Sequence, residues 1–389
     1  MTLIYLDFNS TTPLDHSVAE AMYQAALCGF ANPASQHQPG QFARRRLEQA
    51  RTELALMVGL KTTGMNADRL IFTSGGTESN NLAIRGLAGT DRSKQILISA
   101  IEHPSVIGTG EWLASDGWQV RKIPVDQNGV CRLDELKKML ERPTALVSLM
   151  LANNETGVLQ PVAKAAQICR AFGVPIHTDA VQAVGKVPVS FVDLGVTSLT
   201  FTAHKFHGPR GIGALAVRHD ALLSPILFGG FQQQGIRPGT EDVVLAVGFQ
   251  SALELAVKRL NNLAARFLLL RNLMLATLEQ DLIEPIVVNG AGVERVPHTL
   301  NISFPGLDRQ ALLIAADFAG IAISTGSACA SGSSEPSPVL VAMGLPAAVI
   351  EGSIRISFGA PTTEAEVVAA AARISQIAND LRRQPNRPK

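Results

Sequence analysis

The sequence predicts an α/β protein: a mainly parallel sheet with helices on both faces, joined to a second, smaller α/β unit. Three observations predict it. Between residue 69 and about residue 217, short apolar runs rich in β-branched residues alternate with amphipathic stretches. A long helical stretch, 241–284, then continues without a convincing turn. Beyond it the pattern gives a strand, a helix and a further strand.

In chain order the strands are expected at Arg69–Thr73 (RLIFT), Gln95–Ile101 (QILISAI), Ala145–Ala152 (ALVSLMLA), Val174–Thr178 (VPIHT), Ser198–Thr202 (SLTFT) and Gly213–Val217 (GALAV). Each is short and bounded by turn signals, as strands buried on both faces are. Leu133–Leu140 (LDELKKML) and Pro161–Phe172 (PVAKAAQICRAF) read as helices, the second stopped by Gly173. Glu241–Glu284 is long enough to bridge two domains. After it come a strand over His298–Phe304, a helix over Asp308–Phe318 and a strand around Ser353–Phe358. The N-terminal arm, residues 1–14, is expected to fold back onto this smaller unit. The predicted domains are therefore 15–258, and 1–14 together with 259–389. Ser324–Pro338 (STGSACASGSSEPSP) has one charge and many Ser, Gly and Ala, and reads as a mobile loop.

Composition narrows the function. The 389 residues, 46% hydrophobic, supply ample material for a large core. With 34 Lys+Arg against 33 Asp+Glu, the net charge of +1 argues against nucleic acid or a membrane surface as partner. A small anion held by local dipoles remains compatible. Cys28, Cys131, Cys169 and Cys329 are too few and too scattered for a disulfide framework, and no two stand in a C-x-x-C spacing. His204 and His207 form an H-x-x-H, but with no acid or cysteine at metal spacing no metal is expected. The N-terminus carries Asp7 and no basic region, so it does not read as a signal peptide. The longest apolar candidate, Ala311–Ile323, is too short to cross a membrane and is interrupted by Asp317, so a cytoplasmic protein is expected.

In open α/β sheets, ligands collect beyond the carboxyl ends of the strands. Five predicted strands end in chemistry there. Ser74–Gly75–Gly76–Thr77 closes the first and opens a helix. His103 follows the second, Asn153–Asn154–Glu155 the third, Asp179 the fourth and His204–Lys205 the fifth. The helix start SGGTESNN suits an anion, because its glycines admit close backbone approach and its unpaired N–H groups carry the positive end of the helix dipole. It is neither G-x-G-x-x-G nor a Walker loop. A phosphate anchor, an acid, a flat imidazole and a lysine together suit pyridoxal 5'-phosphate, the lysine forming an imine and the acid holding the pyridinium proton.

These residues lie in blocks that resemble a known family. YLDFNSTTP (5–13), NPASQH (32–37), FTSGGTESNNLAI (72–84), EH (102–103), NNETG (153–157) and HTDAVQAVGK (177–186) are similar to the cysteine desulfurases of the aspartate-aminotransferase fold. So are TAHKFHGPRGIGAL (202–215), GGFQQQGIRPGT (229–240), NISF (301–304), STGSACASGSSEPSPVL (324–340) and SIRISFG (353–359). The resemblance implies that Lys205 carries the cofactor, Asp179 pairs with its ring nitrogen, His103 stacks on the ring and moves protons, and Gln182 meets the ring oxygen. It gives the phosphate to Gly76, Thr77, Thr202 and His204, with Thr240 reaching the phosphate of a neighbouring subunit in a homodimer. Asn154 and Arg355 would bind L-cysteine, and Cys329 would take its sulfur as a persulfide for an acceptor such as an iron–sulfur scaffold. Cys28, Cys131 and Cys169 are left structural. The chain departs from the family in carrying Ser10 where Ala is frequent, Thr202 for Ser, Gln233 and Gln234 for Glu and a basic residue, and Pro338 for His or Tyr. A selenocysteine lyase or a small-acid aminotransferase on the same fold is the alternative; Cys329 within SGSAC favours the desulfurase, because a transaminase needs no such thiol.

Overall fold

The computed structural model describes residues 3–28, 31–326 and 335–383. The chain opens with β1 (Ile4–Tyr5), α1 (His16–Cys28) and α2 (Gln38–Met57). It then alternates through β2 (Arg69–Thr73), α3 (Gly76–Ala88), β3 (Gln95–Ser99), α4 (Pro104–Ser115), β4 (Gln119–Ile123) and α5 (Leu133–Met139). Next come β5 (Thr144–Ser148), α6 (Val162–Ala171), β6 (Ile176–Asp179), α7 (Phe191–Leu194), β7 (Ser198–Thr202) and β8 (Gly213–Val217). The long helix α8 (Val243–Asp281) leads to β9 (Val287–Val288), β10 (Thr299–Ser303), α9 (Arg309–Phe318) and β11 (Ile321–Ala322). α10 (Pro338–Ala342), α11 (Ala347–Glu351), β12 (Ser353–Ser357) and α12 (Glu364–Arg383) complete it.

Among the described residues, the large sheet has seven strands in the order β2-β8-β7-β6-β5-β3-β4. Only β8 opposes its neighbours, pairing antiparallel with β2 and β7. β2 therefore runs with β7, β6, β5, β3 and β4, whose pairings are parallel. β3, β5, β7 and β8 are buried at every position, which accounts for their unbroken apolar runs. Several predicted strands run past the observed ones, at 100–101 and 149–152 beyond the carboxyl ends of β3 and β5, at 174–175 before β6, and by one residue at each end of β10. The edge strand β4 (QVRKI) is partly exposed and was not predicted.

The helix ends follow local chemistry. Gly173 has φ 66°, and Val174 N–H returns to Cys169 O at 3.0 Å, so α6 stops where the glycine predicts. Asp242 caps α8 by accepting from Leu245 N–H at 2.9 Å. Along α8, Val243, Val247, Phe249 and Leu253 belong to the core under the large sheet, whereas Phe267, Leu270, Met274 and Leu278 belong to a second core. That second core also holds Ile4 and Leu6, because β1 pairs with β11 and Ser357 N–H donates to Leu6 O at 2.8 Å. The arm thereby pairs with β11 in a separate two-stranded sheet, bridges to Ser357 on β12 through Asp7, and passes on to Lys205 at the large sheet. The predicted loop falls mostly on 327–334, outside the described residues.

A Cβ at Gly213 on β8 would lie 2.6 Å from the Gly75 carbonyl carbon, so the turn before α3 can approach only a glycine. Gly108, on the exposed face of α4, has open space around it. Gly213→Ala is expected to cost about 1–3 kcal/mol by overpacking, whereas Gly108→Ala is expected to gain up to about 1 kcal/mol from helix propensity. Urea midpoints of the two variants, measured side by side, check the contrast.

Candidate active site

A cavity of about 230 Å³ opens at the carboxyl edge of the large sheet. It gathers Gly76, Thr77, His103, Asn154, Asp179, Gln182, Thr202, His204, Lys205 and Arg355, the expected residues of one chain's cofactor and substrate site. Thr240 is exposed and does not line this cavity. Cys329 lies outside the described residues.

Each side chain reaches the cavity by the end of an element. Gly75 has no side chain with which to cap α3, and the first turn faces the cavity through Gly76 and Thr77. A Cβ at Gly76 would sit 3.1 Å from Val181 Cγ2, which leaves the backbone as the surface on that side. Asp179, the last residue of β6, accepts from Asn80 Nδ2 at 2.7 Å and from Val181 N–H at 2.9 Å. Asn80 also donates to Ser105 Oγ at 2.8 Å. Its remaining oxygen lies 3.1 Å from His177 Nε2, and since an amide oxygen only accepts, that nitrogen carries the proton. His177 Nδ1 then accepts from Ser198 Oγ at 2.8 Å. Burial pushes His177 down to about 3, so it is neutral beneath Asp179.

His103 caps α4. Its Nδ1 accepts from Ser105 N–H at 3.1 Å, which places the proton of the neutral ring on Nε2. Burial lowers its pKa, the charge of Asp179 opposes that, and Lys205 adds to it. The neighbouring Glu102 is pushed up to about 8 by burial, with the Asp179 charge adding to the effect. At neutral pH Glu102 is thus protonated.

Lys205 Nζ donates to Asn9 O at 2.6 Å and Ser10 O at 2.7 Å, and Gln182 Nε2 donates to the same Asn9 O at 3.0 Å. Burial and the Lys205 charge push His204 down to about 4. Its Nδ1 lies 3.2 Å from Thr11 Oγ1, while His207 Nδ1 donates to Pro13 O at 2.9 Å; the two rings serve different partners. Thr202 reaches the cavity, but its hydroxyl donates to Ile212 O at 2.8 Å, so a phosphate could take this proton only in exchange for that bond. Arg355, on β12, is 1% exposed; it donates to Asn154 O at 3.0 Å, Asp7 Oδ1 at 2.6 Å and Ser10 Oγ at 3.0 Å. Arg355 Nε and Asn154 Oδ1 are buried with no partner among the described residues.

Four residues with no site role assigned from the sequence belong here: Asn9, Ser10, Asn80 and Ser105. The arm block carried the first two in plain view, but nothing local says where an arm ends. Cys131 and Cys169 are buried and pushed up to about 12, far from thiolate chemistry, whereas Cys28 is exposed.

The residues present fit a pyridoxal-phosphate cofactor. An open helix N-terminus meets a phosphate, a doubly hydrogen-bonded carboxylate meets a ring nitrogen, and a lysine amine stands beside them. The unpartnered Arg355 Nε and Asn154 Oδ1 leave polar capacity for a further ligand.

The class-V aminotransferase family model matches residues 4–369. The cysteine desulfurase IscS of Dictyoglomus turgidum is 39% identical over 381 residues, covering 97% of this chain and 95% of that protein. The cysteine desulfurase IscS of Methanosarcina thermophila is 37% identical, covering 97% and 93%. Among solved structures, a NifS-like protein superposes with a TM-score of 0.89 at 34% identity, covering 98% of this chain and all of that one. A NifS-like protein from Rickettsia africae gives 0.87 at 30% identity, covering 96% and 99%.

Neutral His177 makes a prediction with a definite sign. The unfolded chain protonates this ring below about pH 6.5, while the folded chain does not until about 3. Its contribution is complete above pH 6.5 and is lost as pH falls. The stability gap between the parent and His177→Gln is expected to shrink by about 1.4 kcal/mol for each pH unit below about 6. Urea midpoints from pH 7.5 to 5 measure it, and a gap independent of pH would refute a neutral His177.

Proposed function

The chain belongs to the class-V aminotransferase family, and we propose that it is a pyridoxal-phosphate-dependent cysteine desulfurase. It converts L-cysteine to L-alanine and takes the sulfur onto Cys329 as a persulfide. The observation that carries this reading is the convergence of Lys205, Asp179, His103, Arg355 and the α3 N-terminus on one cavity. Similarity to the two desulfurases, each spanning nearly the whole chain, supports it.

The bound cofactor would supply an electron sink for charge developing beside the substrate's α-carbon. The rest falls to this chain's residues. Lys205 would hold the cofactor through Nζ, giving up its bonds to Asn9 O and Ser10 O. Asp179, fixed by Asn80 and Val181, would hold a proton at the ring nitrogen. Gly76 and Thr77 would meet the phosphate with backbone N–H groups and a hydroxyl. Arg355 and Asn154 would orient the substrate carboxylate. Lys205 would move the α-proton, and His103 would move one through Nε2. Cys329 Sγ then bonds to the substrate sulfur as the carbon–sulfur bond breaks, and a returned proton completes alanine. The balance is L-cysteine and a thiol giving L-alanine and a persulfide.

The finer assignments extend this reading. A homodimer with shared sites is supported by the exposure of Thr240 outside its own chain's cavity. The split into 15–258, and 1–14 with 259–389, is supported by the two cores that α8 joins. The sulfur acceptor would be a thiol-bearing protein such as an iron–sulfur scaffold. No helix among the described residues is long and apolar enough to cross a membrane. Free Cys28, Cys131 and Cys169 suit the reducing cytoplasm.

Cys329→Ser is expected to keep the cofactor's visible absorbance while sulfide release falls on the order of a hundredfold or more. Sulfide at the parental rate would sink the nucleophile assignment. Lys205→Ala is expected to lose borohydride-fixed cofactor, read by mass mapping of the labelled peptide; a label on another lysine would overturn it.

A further inference from the structure

Arg355 shows how a carboxylate must enter. A guanidinium has five N–H donors but only two forks that grip a carboxylate with parallel bonds, Nη1 with Nη2 and Nε with Nη2. Nη2 belongs to both forks. Here both of its protons are engaged, one by Asp7 Oδ1 at 2.6 Å and one by Ser10 Oγ at 3.0 Å. Ser10 in turn donates to Asp7 Oδ2 at 2.6 Å, closing a ring of three side chains. Nη1 has spent one proton on Asn154 O, and Nε is buried with no partner among the described residues. No complete fork is therefore open. Of the two side chains on Nη2, Ser10 lines the cavity and Asp7 does not.

We infer that Ser10 is a positioning and specificity-determining residue of the carboxylate subsite. Its hydroxyl occupies the Arg355 Nη2 donor until a ligand carboxylate takes it, while Asp7 keeps the guanidinium in place throughout. A ligand carboxylate then completes the Nε–Nη2 fork, filling the unpartnered Nε and displacing one hydrogen bond, that to Ser10. The Ser10 hydroxyl retains its bond to Asp7 Oδ2. The inference rests on the proposed reading that Arg355 meets the substrate α-carboxylate. It gives the hydroxyl that departs from the family's frequent alanine a consequence: the subsite holds carboxylates less tightly than the bare arginine fork would.

The test titrates cofactor-loaded protein with L-alanine, which carries the carboxylate and does not turn over to sulfide, and with cysteamine, which lacks it. Visible absorbance reads binding. In Ser10→Ala the L-alanine dissociation constant is expected to fall about three- to tenfold, because no internal hydrogen bond is displaced, while the cysteamine constant moves less than twofold. Ser10→Thr keeps the hydroxyl and is expected to restore the parental ratio of the two. Arg355→Gln is expected to erase the preference for L-alanine over cysteamine. If Arg355→Gln erases that preference but Ser10→Ala leaves the ratio parental, or raises the L-alanine constant, the Ser10 inference is overturned and the arginine reading stands. A parental preference in Arg355→Gln overturns the arginine reading itself.

Discussion

Because β2, β3, β5, β6 and β7 run in one direction, everything that follows them in the chain emerges at one edge of the sheet. Their burial on both faces requires helices above and below, and those helices return each connection to the opposite edge before the next strand starts. Thr77, His103, Asn154, Asp179 and Lys205, separated by as many as 128 positions, thus share one cavity. Gly213 and Gly75 show how closely the edge is built: β8, the one reversed strand, presses its first residue against the turn that opens α3. The site inherits the stiffness of the sheet.

Electrostatics refines what topology delivers. Two carboxyl groups lie near each other under the cavity, Glu102 and Asp179, and burial with mutual repulsion keeps Glu102 protonated near neutral pH. The oxygens of Asp179 are held by Asn80 and a backbone amide. Behind Asn80, His177 Nε2 meets the amide oxygen while the amide nitrogen donates to Asp179, so the amide is held on both sides. Burial also pushes Lys186 down to about 8, with Lys205 adding to the effect.

What was legible in the sequence follows burial. Strands enclosed on both faces leave continuous apolar runs, and β2, β7 and β8 stand where RLIFT, SLTFT and GALAV predicted them. β4 has a solvated edge, and its QVRKI offers no such run. The residues just past the strand ends were readable because the position itself marks them. Asn80 was not, since an amide inside a helix looks solvated until α3 packs that face against Asp179 and His177. Asn9 and Ser10 escaped for another reason. Their place depends on pairing between residues more than 300 positions apart, Leu6 with Ser357 and Ile4 with Ile321.

That long-range pairing gives the arm a part in both halves of the molecule. Ile4 and Leu6 are buried in the second core, whereas Asn9 accepts from Lys205 and Gln182 at the large sheet. Asn9 Nδ2 donates to Asn154 O, in the connection after β5, and to Thr299 Oγ1 on β10, so one residue reaches both sides. Asp7 and Ser10 flank it and hold Arg355, which β12 supplies from the smaller sheet. The geometry between the lysine and the arginine is therefore set by a few residues of extended chain as well as by α8. A displacement of β12 relative to the large sheet would strain the Asn9 and Arg355 contacts together, because both bridge the two sides.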